Sequence, residues 1–262
     1  FVPGMADQPW NWFYRDSAWG EDLFTAAKRK GLTTASLYWP VTGGHPAVDW
    51  LMAEYWPQPG DTDFAEIFRR TGSSEEMLEV IREQRGDCVL RQHPSADWFI
   101  FRCACQVFRR WRPDIMLVHF GNVDHHRHRS GTFSQKVRTA VEETDQMLEM
   151  LMETVEETGM LERTNLVLCS DHGHIDIRRV IHPNVLLAEE GLLSVDGEGN
   201  LLDWRAFFHA GGSSGLVYLR DPEDRETYDR VYGLLKGWAA RGIYGISRVF
   251  TEPEIHAGER LG

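Results

Sequence analysis

Two apolar runs of the same kind, Ile115 to Val118 and Leu166 to Cys169, set the tightest limit on the fold. Each is too short for a buried helix and fits a buried strand, since core helices need at least ~10 residues. Between them, Thr132 to Glu157 carries Val137, Val141, Thr144, Leu148, Leu151 and Val155 at helical spacing. That spacing predicts a long amphipathic helix with those residues on its inner face. Strand, helix and strand in this order predict a parallel sheet covered by helices on both faces.

The rest of the chain repeats the alternation. Glu21 to Lys30 reads as a helix ended by Gly31, and Thr33 to Tyr38 as a strand. Helices are predicted over Asp61 to Arg70, Ser74 to Arg85 and Ala96 to Trp111; the second opens with the capping signature SSEE. The strand around Ile115 is expected to span Asp114 to Phe120. Beyond Cys169 come a helix over Pro183 to Glu190 closed by Gly191, a hairpin around Asp196 to Asn200, a strand over Gly215 to Leu219, a helix over Pro222 to Arg241 and a last strand over Ile246 to Phe250. The expected fold is α/β, a mainly parallel sheet sandwiched by helices. Residues 1–262 are expected to form a single α/β core with a small hairpin insertion near 193–209. The tryptophans near the front, Trp10, Trp12, Trp19, Trp39, Trp50 and Trp56, are expected to serve ordinary core packing.

Charge and composition narrow the partners. A formal charge of -12 disfavours binding to a nucleic-acid backbone, which needs clustered cations. It leaves a phosphate substrate open, because bound metal ions can reverse a local field. No apolar run approaches the ~20 residues that span a bilayer. Cys88, Cys103, Cys105 and Cys169 lack zinc or disulfide spacing and are expected to be reduced, with Cys169 a small hydrophobe in its apolar run. Reduced cysteines weigh towards a cytoplasmic location. The opening FVPGMADQPW and the ending AGERLG read as the ends of a piece of a longer chain.

In a sheet of this kind ligands bind beyond the carboxyl ends of the strands. Asp124 and His128 follow the first apolar run, and Asp171 and His172 follow the second. A carboxylate and an imidazole four residues apart face the same side of a turn or helical start. Asp171 and His172 are adjacent and reach one ion only if the chain turns, which Gly173 permits. Either pair alone also fits a solvated loop or a strand end. Together they are candidate ligands for two divalent ions; imidazole with carboxylate suits zinc, with manganese or iron as alternatives. Arg127 and Arg129 could orient a phosphate, whereas His125 and His126 fit a polar loop.

The order strand, D-x-x-x-H-x-x-G, long helix carrying Asp145, strand, SDHG resembles the type I phosphodiesterase/nucleotide pyrophosphatase family of the alkaline phosphatase superfamily. Leu23 to Pro40, Val180 to Leu193 and His209 to Asp224 are similar to segments of the same family, so the resemblance spans about residues 20 to 255. It implies an alkaline-phosphatase-like fold and a two-metal, in-line hydrolysis of a phosphoester or phosphoanhydride in a small molecule or nucleotide. It implies Asp124 and His128 on one zinc, Asp171 and His172 on the other, and an inward Asp145. The family's N-terminal metal-binding Asp and its Thr or Ser nucleophile find no match, so the catalytic nucleophile is unassigned and this chain alone is expected to be inactive. VTGGHP, Val41 to Pro46, is only superficially similar to the stretch that follows that nucleophile. The family's last His ligand finds no match either; His182, His209 and His256 stand in only by elimination. A sulfatase, phosphonate hydrolase or phosphomutase of the same superfamily, or a non-catalytic metal-binding relative, is the alternative.

Overall fold

A computed structural model of the chain describes residues 12–16, 20–58 and 60–257. Their contacts cluster in two compact units, meeting in sequence between Asp176 and Ile177, where the sequence reading treats 1–262 as one piece.

In the unit that ends at Asp176, the strands are β1 (Thr34–Leu37), β2 (Trp50–Met52) and β3 (Ile115–Val118), in the order β2-β1-β3 and all parallel. Around them lie helices α1 (Leu23–Arg29), α2 (Phe64–Arg70), α3 (Glu75–Gln84), α4 (Ser95–Trp111), α5 (Asn122–Ser130) and α6 (Gln135–Glu157). This is the expected α/β fold, with a small parallel sheet among helices. The central strand β1 is buried at every position. Asp114 fixes its start: one carboxylate oxygen accepts from Thr33 N and Thr33 Oγ1, each at 2.8 Å, which sets the register with β3. Phe99, Ile100, Cys103, Ala104 and Val107 of α4 pack into a common core with Leu37, Met52, Met147 and Leu151. Trp50 stacks on Trp111 at 5.0 Å and Trp56 packs against this core, as expected for structural tryptophans; Trp10 and Trp19 lie outside the described residues.

One expectation fails in this unit and another holds in part. Asn165 to Cys169 forms no strand. Leu166, Val167 and Leu168 are 50%, 81% and 77% exposed, and Cys169 is exposed rather than buried. The run has strand propensity, but a strand needs a neighbour to complete its ladder, and none lies beside this one among the described residues. On α6 the buried stripe is Val137, Ala140, Met147, Leu151 and Thr154, with Val155 beside it, while Val141 is 47% exposed. The expected stripe steps by four then three, and the observed one by three then four. Both are legitimate helix seams, and packing against α4 and α5 selects the second.

The second unit is described from Ile177 onward. It contains α7 (Pro183–Glu189), β4 (Leu193–Val195), β5 (Leu201–Trp204), β6 (Ala206–Gly211), β7 (Ser214–Leu219), α8 (Arg225–Arg241) and α9 (Glu252–His256). The hairpin expected near 193–209 is the antiparallel pair β4-β5, and β6-β7 is a second antiparallel pair. Glycine is favoured at 215 in that second pair, since a Cβ there would meet the His209 carbonyl oxygen at 2.8 Å as well as Phe208 Cζ at 2.2 Å. Leu187, Leu192, Ala206, Val231 and Trp238 form this unit's core. The strand expected at Ile246 to Phe250 is not formed; the stretch has no ladder partner and runs as irregular chain. No described helix is long and apolar enough to cross a membrane.

Candidate metal centre

The centre is built where β3 ends. His119, Phe120 and Gly121 carry the chain from the strand into α5, which spans Asn122–Ser130. His125 and His126, expected in a polar loop, therefore lie in a helix with His128. Asp124 and His128 sit one turn apart on one side of it, with His128 Nε2 3.4 Å from Asp124 Oδ1.

The irregular segment after Ser170 supplies the rest. His174 Nε2 lies 3.0 Å from the same Asp124 oxygen and His172 Nε2 lies 4.0 Å from it. The His174 ring is 4.9 Å from that of His128 and 5.1 Å from that of His172. Three imidazoles thus converge on one carboxylate oxygen. That oxygen is buried and has no hydrogen-bond partner, although the Asp124 side chain as a whole is half exposed.

Ligand atoms of Asp124, His128 and His174 lie within 4.8 Å of one another. Donors around a tetrahedral zinc with bonds of ~2.0–2.1 Å are separated by about 3.3 Å, so small side-chain adjustments let this set close on one ion. The donor chemistry, one carboxylate and two imidazoles, also suits a divalent cation. Among the described residues this is the one such cluster.

Of the four ligands expected from sequence, Asp124 and His128 are together and His172 stands at the cluster's edge. Asp171 lies against His172: its side chain is 69% exposed, one oxygen accepts from His172 N at 2.9 Å, and the other is 3.3 Å from His172 Nε2. His174 takes a place that the sequence reading did not give it. The available signal was a further imidazole two residues beyond His172. Asp145, expected to point inward from α6, is exposed. His182, His209 and His256 belong to the other compact unit, on or beside α7, β6 and α9.

The surroundings are polar and partly dry. His125 packs against His93 at 4.7 Å; burial, with the nearby charges of His93, His126 and Arg129, pushes its imidazole below the usual range. Arg127 Nε and His126 Nδ1 are buried without hydrogen-bond partners. Just past the carboxyl end of β2, Glu54 is 6% exposed and accepts from Trp56 Nε1 at 3.1 Å. Burial raises its carboxyl above the usual range, with Asp171 adding to the rise and His119 and the Trp56 hydrogen bond opposing it.

No solved structure matches the chain. The family model of the type I phosphodiesterase / nucleotide pyrophosphatases matches residues 2–242.

Proposed function

Because the chain belongs to the type I phosphodiesterase / nucleotide pyrophosphatase family, we propose that it carries the metal centre of a hydrolase acting on a phosphoester or phosphoanhydride bond. The substrate class is a small-molecule phosphoester or a nucleotide. The observation that carries this reading is the buried Asp124 Oδ1, which accepts no hydrogen bond and faces the Nε2 atoms of His174, His128 and His172. A buried carboxylate oxygen without a donor is costly unless a cation completes it.

Asp124, His128 and His174 hold one divalent ion in this reading. Asp171 and His172, with Asp171 Oδ2 3.3 Å from His172 Nε2, are the candidates for a second. Such ions, when bound, would supply positive charge to stabilise the attacking and leaving oxygens of an in-line displacement. Zinc suits the donor set best, with manganese or iron as alternatives. Arg127 and Arg129, on the same helix, are candidates to orient the phosphate through their planar guanidinium groups.

The test is hydrolysis of bis-p-nitrophenyl phosphate by the intact protein, with zinc content measured on the same sample. Turnover should stop on chelation and return with zinc. A zinc-replete protein that leaves phosphodiesters, phosphomonoesters and nucleotides alike untouched would end this reading.

A further inference from the structure

We propose that Asp97, together with His93, is a positioning residue for the metal-bearing helix: it holds the start of α5 and so sets where Asp124 and His128 stand. The inference rests on the metal reading above.

The need for such a device follows from the helix itself. NVDHHRHRS is polar nearly all round, and Asn122 is its buried residue. A short helix of that kind gains little from packing or from propensity. Its N-cap is Gly121, which has no side chain to accept from the first free N–H groups.

Asp97, in the first turn of α4, takes that role from outside. Its Oδ1 accepts from Gly121 N at 2.7 Å and from Asn122 N at 3.0 Å. His93 Nδ1–H donates to its Oδ2 at 2.5 Å. The Asp97 side chain is 0% exposed and that of His93 7%. A wholly buried carboxylate needs partners for both oxygens, and two of its three donors are the helix start. A negative charge at that end also favours the helix dipole.

The contact is close as well as polar. A Cβ on Gly121 would stand 2.9 Å from His93 Cε1, and the His93 ring packs on His125 one turn further along. From the other side, Asn122 Nδ2 donates to Glu143 Oε2 at 2.7 Å. The first turn of α5 is thus gripped between α4 and α6, and Asp124 is the next residue but one. His174 hangs on a different segment, so a rotation of α5 changes the distance between the candidate ligands.

The experiment measures the zinc dissociation constant of the metal-free protein by competition with a chromophoric chelator, alongside the melting temperature. Asp97→Ala should weaken zinc binding about 10-fold, the scale of losing a group that orients ligands. Asp97→Asn, which keeps an oxygen for the two amides, should recover most of it. Gly121→Ala keeps the core intact, and its φ of -107° suits alanine, yet it pushes the helix start against His93. It should weaken zinc in the same direction, and it decides the matter if Asp97→Ala does not fold. Lowered melting temperatures with wild-type zinc affinity in the folded variants would overturn the proposal and leave Asp97 a stability residue. Wild-type protein that binds no zinc would instead overturn the metal reading, and this role with it.

Discussion

Asp176 accepts two hydrogen bonds from Thr132, one from its backbone N–H and one from its Oγ1, both at 2.8 Å. Thr132 directly follows the residue that closes α5, and Asp176 lies two residues beyond His174. One carboxylate therefore ties the irregular segment carrying His172 and His174 to the helix carrying Asp124 and His128. The candidate ligands on the two segments are linked through this tie, with no strand formed at Asn165 to Cys169.

The tie gives the first prediction. Asp176→Ala should speed hydrogen exchange across 170–175 and weaken zinc binding, with Thr132→Val, which loses only the Oγ1 bond, in between. Backbone and side-chain donation by Thr132 holds the Asp176 carboxyl below its usual value of 3.8. A lowered folded pKa means the carboxylate contributes fully above the unfolded value and loses its contribution as pH falls through the folded one. In the metal-free protein the tie should thus protect this segment fully above pH 3.8 and lose its effect, with the difference from Asp176→Ala vanishing, as the pH falls below that value. Exchange that Asp176→Ala leaves unchanged would show that something else holds the segment.

The identity of the ligands gives the second. Zinc titration of the single variants should rank Asp124→Ala as the most damaging, because its Oδ1 is the atom the imidazoles share. His174→Ala should cost as much affinity as His128→Ala. Asp171→Ala should leave the first zinc in place and affect only a second, weaker one. Loss of all zinc in Asp171→Ala, with His174→Ala silent, would restore the ligand set read from the sequence motif.

How much of this could be read in the chain depended on where the determining contact lay. β1, β3 and α4 were legible because propensity and apolar pattern agreed over several residues. β2 was not, since Trp50–Met52 is three residues long and stands between polar turns. The failure at Asn165 to Cys169 is the converse: the local pattern reads as strand, and the absent neighbour overrules it. α5 has no apolar stripe to read, and its start is capped by Asp97 from another helix. Asp124 and His128 were legible through their four-residue spacing, whereas His174 was passed over. Asp97 and Asp176 could not be found locally, because each acts on backbone far along the sequence.

Glu54 gives the third prediction. Its carboxyl is raised by burial, so between its ordinary value of 4.5 and the raised value the folded state binds more protons than the unfolded one. Stability then falls as pH rises through that window and stays lower above it. Glu54→Gln keeps an oxygen for Trp56 Nε1 and removes the charge. It should raise the melting temperature at neutral pH and change it little below pH 4.5, where Glu54 is protonated in both states. A variant less stable at neutral pH would mean that attraction to His119 outweighs desolvation.

The last prediction concerns Cys169 and tests the most unexpected feature of the fold. Cys88, Cys103 and Cys105 are 8%, 0% and 4% exposed. Burial pushes the Cys88 thiol up to about 11 and raises those of Cys103 and Cys105 as well, which lowers the thiolate fraction available to react. Cys169 alone is exposed among the four free cysteines. A disulfide reagent at pH 8 should therefore titrate one thiol quickly in the native chain and all four after denaturation. Cys169→Ser should abolish the fast phase and leave the slow one. A native chain with no fast thiol would mean that Asn165 to Cys169 is packed as a strand after all, and would draw Asp171 and His172 to the end of a sheet strand, where the two-ion arrangement needs them.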